Sequence, residues 1–348
     1  MRLCASIYNE HQIYLAFSIT EKRKLEKENE EREMFYIGEL REGERINEIY
    51  LCKQKTTAMT KAGKPYGSLV LQDKTGTLDA KIWDPSSHGI EEFEALDYIN
   101  VMGDVTSFQG TLQLNIRRLR KVSEGEYDPA DYLPMSEYDV DQMYEELQGY
   151  VKSLANPWLK ELAGGFFLED EAFAKRFKFH SAAKSVHHGF VGGLLEHTLS
   201  VTRLCAYFAD TYPILNRDLL VTAAMIHDVG KLEELSVFPA NDYTDEGQLL
   251  GHIAMGMEIV GVRIRGIKGF PAKLSNELKH CILAHHGELE YGSPKKPALP
   301  EAVALNFADN LDAKMETLKE LLANVPAGNT DWQGFNRLFE SNIRRSSI

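Results

Sequence analysis

Polar and apolar residues alternate with the two-residue period of β-strands along several segments between residues 46 and 121. Five strands are predicted there, because these segments are rich in β-branched and aromatic residues and are separated by turn residues. Leu78, Ala80 and Ile82 alternate with Asp79 and Lys81, which predicts one buried and one solvent-facing side. The predicted strands cover residues 46–59, 66–71, 77–83, 98–108 and 111–121.

The order of these segments predicts a small closed barrel. Residues 86–95 follow the third strand and are compatible with a short helix. Five strands with a helix at that position are the layout of an OB-fold, a barrel that binds single-stranded nucleic acid. We therefore expect an OB-fold nucleic-acid-binding domain over residues 34–122. Residues 1–33 include a mixed charge run, and we interpret them as an N-terminal extension that is not native to the domain.

The remainder of the chain predicts an all-α domain. Glycine, proline and acidic residues over 123–137 indicate a linker, and we expect a helical domain over 138–325 and a C-terminal tail over 326–348. Predicted helices cover residues 140–154, 168–177, 194–211, 218–227, 248–264, 272–285 and 301–322. The predicted fold class is multidomain, α and β: a five-stranded barrel followed by an all-α domain.

Composition limits the setting and the partners. No apolar segment approaches the ~18 residues that span a bilayer, so no membrane partner is expected. The four scattered cysteines contain no C-x-x-C pair, which fits the reducing cytoplasm. A net charge of −13 argues against a nucleic-acid partner, but residues 35–122 carry equal numbers of acidic and basic residues, 12 of each. The predicted barrel is therefore neutral within an acidic chain.

Seven of the 11 histidines lie in clusters in the predicted helical domain, some of them next to aspartates, and are candidate metal ligands or catalytic groups. Neutral imidazoles together with carboxylates suit Mn²⁺, Fe²⁺, Co²⁺, Ni²⁺ or Zn²⁺. The set contains no cysteine, which argues against a structural zinc site. The candidates are His187, His188, His197, His227, Asp228, His252, His285, His286 and Asp309.

The most specific motif is the sequence His227-Asp228-Val229-Gly230-Lys231, which follows an apolar predicted helix. Adjacent residues on a helix point about 100° apart, so two of them approach one ion only from neighbouring directions. The remaining ligands must therefore come from other helices.

The series His197, His227-Asp228 and Asp309 resembles the H…HD…D signature of the HD superfamily of metal-dependent phosphohydrolases. With the preceding OB-like domain and the segment from Val186 to Thr198, the chain resembles the YhaM family of bacterial 3′–5′ exoribonucleases from about Met34 to Leu322. This resemblance implies that one divalent ion is held by His197, His227, Asp228 and Asp309. It implies a second ion, bridged by Asp228, on His252, His285 and His286, with Mn²⁺ favoured.

In addition to Asp228, three further residues are candidate catalytic groups. Lys231 could add a cation to the phosphate, or it could complement the dipole at the end of a helix. His187 and His188, next to a glycine-rich turn, could bind phosphate or protonate the leaving oxygen, and a supporting structural role stays open for both.

The barrel supplies candidate nucleic-acid contacts. Single-stranded nucleic acids bind to OB-folds through stacked bases and a track of basic residues. The candidate stacking residues and phosphate contacts, any of which could also serve the core or surface, are Tyr66, Trp83, Phe108, Lys61, Lys64, Arg117 and Arg118.

Together, the motifs and the resemblance indicate that the protein is a hydrolase. The function they imply is that of a metal-dependent 3′–5′ exoribonuclease, which converts single-stranded RNA to nucleoside 5′-monophosphates by two-metal activation of water. Single-stranded DNA stays open as a substrate, because no sensor of the 2′-OH is visible, and a homo-oligomer stays open as an assembly. Two alternatives remain. An HD-type phosphohydrolase would act on free nucleotides and not on polymers. A non-catalytic nucleic-acid-binding protein would not need the complete ligand series.

Overall fold

The computed structural model describes residues 34–184, 188–323 and 325–347. The predicted extension 1–33 lies outside the described residues. The chain divides into two compact units between Tyr132 and Leu133, inside the segment predicted to be a linker. The first unit is a barrel and the second is helical.

Five strands close the barrel of the first unit in the order β1-β2-β3-β5-β4, with β4 pairing back to β1. Only β3 and β5 pair in parallel among the described strands. This closed five-stranded arrangement confirms the predicted OB-fold. The strands are β1 (Arg45–Met59), β2 (Pro65–Asp73), β3 (Gly76–Ile82), β4 (Tyr98–Phe108) and β5 (Thr111–Lys121).

The barrel core contains the inward members of the alternating pattern. Leu78, Ala80 and Ile82 of β3 are buried, as the alternation predicts, and they pack with Tyr50 and Leu114 from other strands. The outward positions are left free to carry polar and aromatic side chains.

The predicted helix over residues 86–95 is wrong. This segment pairs with β5: the Leu119 amide donates to the Gly89 carbonyl at 2.8 Å, and the Glu91 amide donates to the Leu119 carbonyl at 3.0 Å. Ile90 forms a bridge with Leu119, and Phe93 is buried in the barrel core. The spacing of Ile90 and Phe93 fits a helix as well, but the backbone hydrogen bonds are made to a distant strand.

The second unit is helical, and no helix in the described part of the chain is long and apolar enough to cross a membrane. It ends in a short hairpin of β6 (Phe335–Asn336) and β7 (Ser341–Asn342). The helices are α1 (Val140–Ser153), α2 (Pro157–Phe167), α3 (Glu171–Phe179), α4 (Gly193–Thr211), α5 (Arg217–Ile226), α6 (Lys231–Glu234), α7 (Asp245–Gly266), α8 (Ala272–Ala284) and α9 (Pro300–Leu322).

The helix predicted over residues 168–177 starts too early, and the helix before it, α2, was not predicted. Asn156 caps α2 by accepting from the amides of Trp158 and Leu159, and Pro157 occupies its first turn. Asp170 then caps α3 by accepting from the Phe173 amide, so α3 begins three residues later than predicted. Both caps are standard start signals.

Helix α5 is the centre of the helical core, because every residue from Leu219 to Ile226 is buried. It packs against α4 and α9, and the chain leaves it directly into His227 and Asp228. The helix–helix packing therefore holds the ends of several helices around this point.

Gly230, in the turn after α5, lies close against the backbone of helix α7. A Cβ atom at this position would overlap the carbonyl oxygen of His252 and lie 2.6 Å from the backbone nitrogen of Gly256. Both neighbours are backbone atoms, which cannot move without shifting α7.

We expect Gly230→Ala to lower the free energy of unfolding by about 1–3 kcal/mol, because overpacking forces the backbone apart. Gly266→Ala is the matched control, since a Cβ there has no neighbour within 4 Å, and it should change stability by less than about 0.5 kcal/mol. Chemical denaturation measures both, and equal stability of the two variants would contradict this packing account.

Candidate metal centre and nucleic-acid interface

The ends and faces of five helices bring seven predicted ligands together. His197 comes from α4 and Asp309 from α9, while His252 lies on α7. The remaining four directly follow two buried helices: His227 and Asp228 follow α5, and His285 and His286 follow α8. Residues far apart in sequence thus meet in one cluster.

Asp228 lies at the centre of this cluster and is 1% exposed. Its Oδ2 atom is 3.4 Å from Nε2 of both His197 and His227. Its Oδ1 atom is 3.5 Å from Nε2 of His252 and 3.6 Å from Nε2 of His285. The two oxygens of one carboxylate therefore face two different groups of imidazole nitrogens.

Two histidines are oriented by the helices that they end. His227 and His285 are the C-terminal cap residues of α5 and α8. Nδ1 of His227 donates to the Ala224 carbonyl at 2.8 Å, and Nδ1 of His285 donates to the Ile282 carbonyl at 2.7 Å. The last carbonyls of a helix lack intrahelical partners, so each ring satisfies one and is fixed by it.

Two other histidines are oriented by carboxylates. Nδ1 of His197 is 2.7 Å from Oδ2 of Asp312. Nδ1 of His252 is 3.0 Å from Oε1 of Glu234, which also accepts from the His252 amide at 2.9 Å. The His252 amide is available because Gly251, at φ +72°, interrupts the helix just before it.

The fifth ring follows the same rule, since Nδ1 of His286 is 2.8 Å from the Tyr291 carbonyl. Carbonyl and carboxylate oxygens only accept, so Nδ1 carries the hydrogen in all five rings, and Nε2 of each ring presents a lone pair in the neutral form. This is the arrangement of metal-ligating histidines.

The arrangement leaves buried polar atoms without partners in the described part of the chain. Oδ1 of Asp228 and Nε2 of His252 and His285 make no hydrogen bond although they are buried. Such atoms are costly unless another group binds them. The ligand atoms lie within 4.8 Å of one another in the group His197–His227–Asp309 and in the all-histidine group His252–His285–His286. Imidazole and carboxylate ligands of this kind fit divalent transition metals.

The charge states suit metal binding on the side of His285 and His286. Burial lowers the pKa of His285 well below its usual value, with a further contribution from the neighbouring His286. Burial likewise lowers the pKa of His286, with a contribution from His252. Both rings are therefore neutral near pH 7, which is the form that binds metal.

The groups around His197 carry charge, and their charges support one another. Burial opposes ionisation of Asp228, but Lys231 and His227 outweigh it and hold the pKa well below its usual range. Burial also opposes protonation of His197, but the carboxylates of Asp228, Asp309 and Asp312 outweigh it and raise the pKa well above its usual value. The same carboxylates favour any cation at Nε2 of His197, whether a proton or a metal ion.

Two supporting residues, Asp312 and Glu234, were not predicted from the sequence. Asp312 lies one turn after Asp309 on α9, so the i, i+3 spacing of two aspartates was an available signal. Its Oδ2 atom contacts His188 as well as His197, with a distance of 3.0 Å to Nε2 of His188. Glu234 carries no comparable signal, because its carboxylate ends a helix of only four residues.

The predicted catalytic candidates differ in position. Lys231 lies in the cluster, with Nζ 2.7 Å from Oδ2 of Asp228. His188 is buried, and its Nδ1 atom has no hydrogen-bond partner in the described part of the chain. His188 and Lys231 line a cavity of about 480 Å³ together with His197, His286 and Asp309. His187 lies outside the described residues.

The barrel brings two predicted stacking residues together. The rings of Tyr66 and Trp83 have centroids 5.0 Å apart, and Trp83 is 48% exposed. Nε1 of Trp83 donates to Oδ1 of Asn115 at 2.8 Å, and the Asn115 amide donates to Oγ1 of Thr106 at 3.0 Å. These bonds fix the exposed indole, which is a suitable platform for a base.

Arg117 lines the same groove as Trp83 and Asn115, while Arg118 lines a different depression beside His88. Both point outward because Met102 pairs with Arg118 and the adjacent Gly103 pairs with Ile116, which leaves Arg117 as a bulge. Asp104 pairs with Arg117 at 2.5 Å and reduces its free charge.

The other predicted nucleic-acid contacts are more scattered. Phe108 is exposed at the end of β4, two residues after Thr106 of the groove. Lys61 and Lys64 are exposed in the turn between β1 and β2. The structure therefore joins Tyr66, Trp83 and Arg117 at one surface and leaves the other candidates around it.

Comparison with known proteins identifies relatives of nearly the whole chain. The family described as HD domain matches residues 194–314. A protein of Bacillus velezensis named 3′-5′ exoribonuclease YhaM is 36% identical over 287 residues, covering 82% of this chain and 90% of that one. The protein of the same name from Bacillus subtilis is 35% identical, with the same coverage of both chains.

Solved structures match the barrel unit. The second OB-fold domain of replication protein A from Methanococcus maripaludis is 18% identical, with a TM-score of 0.21, and the match covers 27% of this chain and 100% of that domain. The strand order of the barrel itself identifies the OB-fold.

We expect Asp312→Asn to weaken binding of Mn²⁺ by about 10- to 100-fold, which is the usual cost of losing an outer-shell partner of a metal ligand. The amide can present its NH₂ group to His197 and no longer favours a hydrogen on Nδ1. Titration calorimetry with Mn²⁺ measures the affinity. Asp210→Asn, at an exposed position of α4, is the control, and equal affinities of the two variants would refute the role of Asp312.

Proposed function

The chain belongs to the YhaM family of 3′–5′ exoribonucleases, and from this premise we propose that it removes nucleoside 5′-monophosphates from the 3′ end of single-stranded RNA. The observation that carries the proposal is the position of Asp228, whose two oxygens face two groups of histidine Nε2 atoms. Paired divalent ions that act on a phosphodiester lie about 3.5–4 Å apart, so one carboxylate that faces two groups of ligands suits such a pair.

The proposed ligand sets share Asp228. One divalent ion would be held by His197, His227, Asp228 and Asp309, and the other by Asp228, His252, His285 and His286. The orphaned atoms Asp228 Oδ1, His252 Nε2 and His285 Nε2 support this assignment. Mn²⁺ is the proposed native metal, and Fe²⁺, Co²⁺, Ni²⁺ and Zn²⁺ suit the same ligand types.

When bound, a pair of divalent ions supplies hydroxide near neutral pH and neutralises charge on the phosphate. The protein adds its own groups to this chemistry. Burial lowers the pKa of Lys231, but neighbouring Asp228 outweighs it and raises the pKa above its usual value, so Lys231 stays a cation and can contact a phosphate oxygen. His188 is held by Asp312 through Nε2, and the imidazolium form of its ring, which also carries a proton on the unpartnered Nδ1, is the proposed proton donor to the leaving oxygen.

The barrel is the proposed binding unit for the RNA strand. The adjacent rings of Tyr66 and Trp83 support stacking of bases, and Arg117 in the same groove supports a phosphate contact. Phe108, Lys61, Lys64 and Arg118 are proposed to extend this surface. Binding at the barrel raises the local concentration of the 3′ end at the metal centre. Single-stranded DNA is a proposed secondary substrate, because stacking does not depend on the sugar.

A cytoplasmic setting is proposed as well. The three cysteines in the described part of the chain, Cys52, Cys205 and Cys281, are buried free thiols, as is common in reducing compartments. The proposed domains are the barrel over residues 34–122 and the HD domain over residues 138–325.

We expect 5′-end-labelled single-stranded RNA to shorten from its 3′ end as a ladder in the presence of Mn²⁺ and to stay intact with chelator. Asp228→Ala should abolish the ladder, because both proposed ion sites lose their shared ligand, whereas Asp210→Ala should retain it. Intact RNA with metal-loaded wild-type protein would contradict the proposal, and hydrolysis of free nucleotides alone would indicate a small-molecule phosphohydrolase.

We expect Lys231→Gln to lower kcat/KM for RNA by about 10²-fold, because one charge-stabilising donor is lost. Its affinity for Mn²⁺ should stay equal or rise, since a cation beside Asp228 is removed. Lys268→Gln, at an exposed position after α7, should change neither value. A parallel loss of metal affinity and activity would instead indicate that Lys231 only supports the fold of the site.

We expect Trp83→Ala to weaken binding of a single-stranded RNA by about tenfold or more, since stacking of a base contributes about 1–3 kcal/mol. Fluorescence anisotropy with chelator present measures the dissociation constant without hydrolysis. Tyr212→Ala, at an exposed aromatic residue of the helical unit, is the control. An unchanged dissociation constant for the Trp83 variant would remove this groove from the proposed interface.

A further inference from the structure

The segment after α9 folds back as the β6–β7 hairpin. The Gln333 amide donates to the Ile343 carbonyl at 2.8 Å, which closes the hairpin stem. Arg345 donates from Nη2 to the Leu322 carbonyl at 2.7 Å, and Val325 is buried. The hairpin is therefore attached to the C-terminal end of the helix that carries Asp309.

The tip of this hairpin reaches the cavity beside the metal ligands. Leu338, in the turn between β6 and β7, lines the same cavity as His197 and Lys231. Asn310 and Lys314, one turn apart on α9, line it as well. A segment that the sequence indicates only as a tail thus contributes an apolar side chain to the candidate active site.

Tyr291 lines the cavity together with Leu338, Asn310 and Lys314, and these four residues form one wall of the cavity. Tyr291 follows α8 by seven residues and its side chain is 63% exposed, while Leu338 is 48% exposed. The Tyr291 carbonyl accepts from Nδ1 of His286. One short turn therefore orients a proposed metal ligand through its backbone and presents an aromatic ring through its side chain.

The wall combines exposed apolar surface with free polar groups. The side chains of Asn310 and Lys314 make no hydrogen bond or ion pair with other described residues. A cavity of about 480 Å³ is within the range of small-molecule sites, which combine apolar walls with a few polar groups. The cavity is therefore lined by proposed metal ligands in one part and by an aromatic, an aliphatic and two polar side chains in another.

We propose that Tyr291, Asn310, Lys314 and Leu338 form a subsite for the 3′-terminal nucleoside of the strand. This inference rests on the proposed exoribonuclease function. The scissile phosphodiester must lie at the cluster around Asp228, so the nucleoside on its 3′ side must occupy the adjoining space. The base contacts Tyr291 and Leu338, while Asn310 and Lys314 donate to oxygens of the ribose or base.

Such a subsite suits an enzyme that removes every kind of nucleotide in turn. Contact with an aromatic ring and an aliphatic side chain accepts any base, because all bases have a π-face. A set of hydrogen bonds to one base edge would instead make removal depend on sequence. The subsite therefore recognises the presence of a base and not its identity.

The test compares two 5′-labelled RNAs that differ only at the last residue, which carries either its base or an abasic ribose. We expect the wild-type enzyme with Mn²⁺ to remove the abasic residue about tenfold more slowly in kcat/KM, from the size of a single stacking contact. Tyr291→Leu and Leu338→Ala should reduce this difference to about twofold. Tyr291→Leu keeps the backbone carbonyl that orients His286, so its affinity for Mn²⁺ should not change.

Leu289→Ala is the matched control, because Leu289 is exposed in the same turn as Tyr291 and does not line the cavity. It should retain the tenfold preference of the wild-type enzyme. If both test variants also retain that preference, or if the wild-type enzyme shows none while it still produces a 3′-end ladder, the subsite is refuted and the exoribonuclease function stands. If the wild-type enzyme degrades neither RNA, the proposed function fails and the subsite fails with it.

Discussion

The burial of one carboxylate is the constraint on which the helical unit depends. An ionised carboxylate in a protein core is costly unless cations or hydrogen bonds compensate it. Asp228 is buried at the end of the fully buried helix α5, with Lys231 at 2.7 Å and four histidine Nε2 atoms at 3.4 to 3.6 Å. Every helix that supplies one of these groups must therefore end or pass within a few ångströms of the same point.

Ordinary features of helix ends meet much of this requirement. His227 and His285 each close a helix by bonding a carbonyl three residues earlier, so the end of the helix fixes the direction of the ring. Gly251 interrupts α7 and frees the His252 amide for Glu234, whose carboxylate also orients the His252 ring. The rigidity of the site thus comes from backbone geometry as much as from side-chain packing.

The sequence alone predicts those features that a local pattern encodes or that belong to a known series of residues. Strands β4 and β5 have the predicted bounds, because turns and alternation both mark them, and the seven predicted ligands meet because their order and spacing belong to a known signature. The error over residues 86–95 and the absence of Asp312 from the predictions have a common cause. In both cases the partner, Leu119 for the one and His197 for the other, is distant in sequence. The i, i+3 spacing of Asp309 and Asp312 indicates a shared helix face, but it does not identify His197 as the partner of Asp312. The contact of Leu338 with the cavity belongs to the same class.

Charge distribution reconciles an acidic chain with a polyanionic substrate. Residues 35–122 carry balanced charge, so the whole net charge of −13 lies outside the barrel. An acidic helical unit repels a phosphate backbone, and stacking on the barrel is the kind of binding that depends least on overall charge. At the cavity, by contrast, Lys231 and the proposed ions would supply positive charge where one phosphate must lie, while the proposed subsite around Tyr291 would contact the nucleoside without needing a further phosphate. In this proposal the barrel binds the strand mainly through its bases, with Arg117 as a phosphate contact, and positive charge is concentrated where a bond is broken, which is consistent with a nuclease that works from an end.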